Sequence, residues 1–110
     1  MEITITSADG IDIAAISGEI DGKTAPDVQE KILPLVKPDS KLLIDMTGVP
    51  YMSSAGLRML LSTYRQVTSQ NARLVLTGLS DEIRDTMSMT GFLHHFVVCD
   101  TLDAAKTSLA

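Results

Sequence analysis

Cysteine is nearly missing from this chain: Cys99 stands alone, so no internal disulfide can form, which suits a reducing, cytoplasmic setting. Cys99 lies in a short apolar run and reads as a small buried hydrophobe rather than a reactive thiol. Without a Cys-x-x-Cys pair there is no thioredoxin-like redox site. Long apolar runs are absent too. Even Lys41 to Met46 and Leu74 to Leu76 break off within a few residues, far short of the roughly 20 needed to cross a bilayer. The opening Met1-Glu2-Ile3-Thr4-Ile5 has neither the basic start nor the apolar stretch of a signal peptide, so secretion is not expected. Basic clusters are lacking as well. With 9 Lys and Arg against 14 Asp and Glu, the net charge is -5, which argues against nucleic acid and acidic membrane surfaces as partners. No Gly-x-x-x-x-Gly-Lys-Ser and no Gly-x-Gly-x-x-Gly occurs, so no nucleotide or other cofactor is expected.

What is present fits one domain spanning residues 1–110. The chain is 45% hydrophobic and has no linker, repeat or low-complexity tract, enough to bury roughly two thirds of its unfolded surface around one core. Ile3 and Ile5 alternate with Thr4 and Thr6 as in a half-buried strand. Asp9-Gly10 is a turn signal before Ile11, Ile13 and Ala15, which predicts an opening hairpin. Thr24-Ala25-Pro26-Asp27 has the form of a capping box. Ala25, Val28, Ile32 and Leu35 follow at helical spacing, with Pro34 as the stop.

Lys41 to Met46 reads as a strand buried on both faces. Leu57, Leu60, Leu61, Tyr64 and Val67 then share one stripe of a helix over 54–69. A strand over 72–77 follows. Next comes a helix from about Ser80, with Asp81 and Glu82 in its first turn and its close at Gly91. The last strand spans 96–99 and the last helix 101–109. The order ββαβαβαβα predicts an α/β fold: a mixed β-sheet opened by an antiparallel hairpin, with parallel strands following and α-helices packed on it.

Chemistry concentrates where the 41–46 strand gives way to the helix. Tyr51-Met52-Ser53-Ser54 leads into Gly56, and helix N-termini favour anions through free amides and the positive end of the dipole. Either Ser53 or Ser54 could therefore be the N-cap or the carrier of a phosphate. A hydrolase reading fails: Ser54, Asp81 or Asp85, and His94 or His95 occur in the right order, but the glycine that should precede the serine of a Gly-x-Ser-x-Gly elbow is missing. His94 and His95, read as neighbours on a strand, point to opposite faces and find no third ligand, so no metal site is expected. Met87 keeps helical register with Ile83 and reads as core filler, while Met89 is unassigned.

Ile44-Asp45-Met46, Val49 and Tyr51-Met52-Ser53-Ser54-Ala55-Gly56-Leu57 resemble the signature of STAS-domain anti-sigma-factor antagonists. Gly18-Glu19-Ile20-Asp21 with Thr24-Ala25 is similar to that family's turn into its first helix, and the element order agrees over nearly the whole chain. One position departs: the family's usual Asp before the phospho-acceptor serine is Ser53 here. The resemblance implies a non-enzymatic binding protein. It would bind an anti-sigma factor that is also a serine kinase, release a sigma factor, and be switched off by phosphorylation of Ser54. A serine phosphatase would reset it, and ATP would belong to the kinase. Asp21, Ser53, Ser54 and Gly56 would form the partner-binding face, with Ser53 capping the helix beside the acceptor. The alternative is a STAS scaffold or accessory subunit of a signalling or transporter assembly, with no phosphate cycle.

Overall fold

The computed structural model describes all 110 residues. Strands β1 (Glu2–Ala8) and β2 (Ile11–Ser17) form the expected hairpin. At its turn both Asp9 and Gly10 take positive φ, 54° and 77°, as a two-residue turn matched to strand twist requires. Strands β3 (Lys41–Gly48), β4 (Arg73–Thr77) and β5 (Val97–Cys99) then add in parallel, giving the five-stranded order β1-β2-β3-β4-β5. Four helices connect or cap the strands: α1 (Ala25–Ile32), α2 (Ser54–Ser69), α3 (Asp81–Met89) and α4 (Leu102–Leu109).

Alternation along the strands divides the core between the two faces of the sheet. Ala14, Ile16, Leu42, Ile44, Met46, Leu74 and Leu76 point to one side, where Val28 and Ile32 of α1, Leu57 and Leu60 of α2, and Ile83 and Met87 of α3 cover them. Ile11, Ile13, Leu43 and Val75 point to the other side, where Ala105 and Leu109 of α4 close a smaller cluster. Cys99 is half-buried and packs against that smaller cluster. Met87 is fully buried, whereas Met89 is 87% exposed.

Three local expectations are corrected. Thr24 stands at the start of α1, but its hydroxyl makes no cap bond: it donates to the Glu19 carbonyl and accepts from the Asp21 amide, both at 2.9 Å. Strand β3 does not stop at Met46. It runs on to Gly48 through a register irregularity against β2, where the Asp45 carboxylate accepts from the Thr47 amide at 3.0 Å and hydroxyl at 2.6 Å. His94 and His95 are not on a strand, because a 3-10 turn, Phe92–His95, intervenes before β5. Both are exposed, and the His95 ring lies tilted 5.3 Å from that of Tyr64.

Candidate functional site

Because β2, β3 and β4 are parallel, the loops that leave them gather at one end of the sheet. Two of these loops are stitched together. The Gly18 amide donates to the Gly48 carbonyl at 2.9 Å, the Ile20 amide to the Tyr51 carbonyl at 3.0 Å, and the Ser53 amide to the Ile20 carbonyl at 2.8 Å. Ile20 and Met52 thus form a one-residue parallel bridge that prolongs the sheet, and both side chains are buried beneath it. This bridge brings Asp21, the next residue after Ile20, to the same end of the molecule as Ser53 and Ser54.

Gly56 explains how closely α2 can approach. A Cβ at this buried position would run into the Met52 side chain and come within 3.0 Å of Ile20 Cγ2 and 3.2 Å of the Ile20 carbonyl oxygen. The absence of a side chain therefore lets the first turn of α2 rest on the Ile20 segment. Ser54, the first residue of that turn, is exposed, and Tyr51 just before it is 50% exposed.

Ser53 occupies the N-cap position with extended backbone (φ -79°, ψ 177°), but its hydroxyl caps nothing. The oxygen is buried and has no hydrogen-bond partner. Its amide and carbonyl are both engaged, the amide with Ile20 and the carbonyl with the Leu57 amide at 3.1 Å, so the backbone of Ser53 is pinned while its side chain is idle. The amides of Ser54, Ala55 and Gly56 precede the first intrahelical bond and are the orphan donors of the helix start.

Asp21 has a structural task of its own. Its carboxylate accepts from the amides of Lys23 at 2.9 Å and Thr24 at 3.1 Å. These backbone bonds, Lys23 first, favour the charged form and hold the carboxyl below the usual carboxylate range.

The surroundings of this segment carry no sequence motif. A groove of about 250 Å³ separates α1 from α2, lined among others by Gly22, Pro26, Gln29, Ala55, Arg58 and Ser62. The Gln29 amide spans it to the Ser62 hydroxyl at 3.0 Å. On the other side Pro50, Tyr51 and Met52 meet Glu82, Ile83 and Thr86 of α3 around a smaller hollow. The four-residue step from Ser54 to Arg58 on a predicted helix was the signal that could have drawn Arg58 in.

No hydrogen bond joins either histidine to Ser54, Asp81 or Asp85, so the hydrolase order of residues has no matching geometry. Nowhere do three His, Cys, Asp or Glu side chains gather as a metal ion would need. No helix is long and apolar enough to cross a membrane.

Comparison with known proteins agrees with this architecture. The family model described as STAS domain matches residues 2–105. The anti-sigma-B factor antagonist of Listeria monocytogenes is 39% identical over 92 residues, covering 83% of this chain and 80% of its own. Its namesake in Bacillus subtilis is 37% identical over 76 residues, covering 69% of this chain and 70% of its own. Among solved structures, an anti-sigma factor antagonist from Mycobacterium paratuberculosis superposes with a TM-score of 0.86 at 29% identity, covering 98% of this chain and 92% of that one.

Proposed function

The chain belongs to the STAS domain family, and we propose that within it this protein is a cytoplasmic anti-sigma-factor antagonist whose switch is phosphorylation of Ser54. Unmodified, it binds an anti-sigma factor that is also a serine kinase, and a sigma factor is released. Modified, it lets go until a serine phosphatase removes the phosphate. Ser54 is a substrate in this cycle and the chain itself catalyses nothing.

The observation that carries the reading is Ser54: an exposed hydroxyl on a helix start with free amides and no acid in its first turn, in the place to which the motif resemblance assigns the acceptor serine. Phosphate there is favoured by the dipole, so the folded domain tolerates it. A partner seated on Asp21, Ser53 and Ser54, with Gly56 supporting them from beneath, instead meets roughly -1.5 to -2 of added charge and a hydrated bulk. Stability and binding therefore separate. Incubation with the kinase of its own host and ATP should label wild type and Ser53→Ala but not Ser54→Ala. The phosphorylated protein should melt at or above the unmodified form while its affinity for the anti-sigma factor falls at least ~10-fold, about 1.4 kcal/mol. Labelling that survives in Ser54→Ala, or a phosphorylated form that binds as tightly as before, sinks the proposal.

A further inference from the structure

We propose that Arg58 is an intramolecular clamp for a phosphate on Ser54, an inference that rests on reading Ser54 as the acceptor and adds the residue that holds the modified side chain. Residues four apart on a helix are surface neighbours, with Cβ atoms roughly 5–6 Å apart. Ser54 and Arg58 stand in that relation on α2, and both are exposed. The order is the favourable one, with the acidic member N-terminal to the basic member.

Arg58 is also uncommitted. Its guanidinium makes no hydrogen bond or ion pair, and the one ion pair of the chain, Arg84 with Asp100 at 3.5 Å, lies elsewhere. Every other residue lining its groove is uncharged, and no carboxylate lies within ion-pair distance of it, although the chain carries 14 acids. A planar guanidinium matches two phosphate oxygens at once, which a lone ammonium cannot do. Phosphorylation then alters the contact face twice: it adds negative charge at Ser54 and withdraws a free cation at Arg58 from any acidic group of the partner.

The clamp lowers the second pKa of the phosphoserine, because a nearby cation favours the dianion. Chain carrying phosphoserine installed at position 54 during translation needs no kinase, so this test is independent of whether any kinase accepts Ser54. Phosphorus NMR titration at low salt should give a second pKa that rises by about 0.3 unit or more in Arg58→Gln relative to wild type. The difference should shrink as salt screens the exposed pair. Arg65→Gln, on the same helix but further along it, should leave the value unchanged. Equal values for wild type and Arg58→Gln, or an equal rise in Arg65→Gln, would overturn the clamp. Failure of the kinase to label Ser54 would instead overturn the acceptor reading.

Discussion

Helices α2 and α3 each follow a parallel strand of the same sheet and each start at a serine, but the two serines are used in opposite ways. At α3 the Ser80 hydroxyl accepts from the Ile83 amide at 3.2 Å, and Asp81 and Glu82 set negative charge in the first turn. Helix α4 is closed similarly, with Thr101 accepting from the Ala104 amide at 3.1 Å and Asp103 beside it. Helix α1 has Asp27 in its first turn. Only α2 has no acid there, and its N-cap hydroxyl is buried and unbonded. In a chain with 14 acidic residues and a net charge of -5, the one helix start without a negative group is the one that presents Ser54. Helices α3 and α4 close an amide of their own first turn with their own N-cap side chain. Helix α2 leaves its amides and its dipole to be met from outside, and a phosphate meets both.

The contrast depends on α2 being held against the Ile20 segment, and Gly56 is the point at which to break it. Gly56→Val forces a branched side chain into space already filled by Met52 and Ile20. Overpacking of this kind costs about 1–3 kcal/mol. The urea midpoint should fall accordingly, with Ile20 and Ser53 amides losing hydrogen-exchange protection first. An unchanged midpoint would mean that the turn of α2 sits further from Ile20 than described.

A smaller effect sharpens the comparison itself. Ser80→Ala removes a working cap and should cost about 1 kcal/mol. Ser53→Ala removes a buried hydroxyl that has no partner, so it should leave stability unchanged or raise it, by up to about 1 kcal/mol. Paired chemical denaturation of the two variants decides the matter. If both lose stability alike, Ser53 caps α2 in solution and the two helix starts are the same after all.

Much of this was legible in the sequence because it is local. The stripe from Leu57 to Val67 marks α2 with the observed bounds Ser54–Ser69, and period-two alternation marks β1 and β2. Motif resemblance drew attention to Asp21, Ser53, Ser54 and Gly56, and the chain's similarity to STAS domains agrees with the predicted sheet. Long-range and rotamer-level facts were not legible. The Ile20 to Met52 bridge joins two loops 32 residues apart, and neither segment carries a strand pattern of its own. Thr24 reads as a cap by spacing, but its hydroxyl is engaged by the Glu19 carbonyl and the Asp21 amide instead. The burial of the Ser53 hydroxyl is decided by packing around a pinned backbone, which no pattern of residue types encodes. Arg58 carries no mark of its own in the sequence alone, because a charged residue on an exposed helix face ordinarily signals nothing beyond solubility.

Asp21 offers the smallest effect and a pH-dependent one. Its carboxylate organises the turn on which the Ile20 bridge ends, through hydrogen bonds that exist only while it can accept them from Lys23 and Thr24. Those bonds lower its pKa in the folded chain below the ordinary 3.8. A carboxyl whose folded pKa is depressed binds more protons when unfolded, so its contribution to stability is fully present above the unfolded value. That contribution is lost as pH falls through the folded value. Asp21→Ala should therefore be less stable than wild type at pH 7, and the gap should begin to close as pH drops below about 3.8. Asp21→Asn, which keeps an acceptor oxygen but no charge, should fall between the two at neutral pH. A carbon-detected NMR titration of the Asp21 carboxyl gives the folded pKa directly. A value at or above 3.8 would remove the turn's dependence on charge, and would leave Asp21 free to meet a partner without any structural duty.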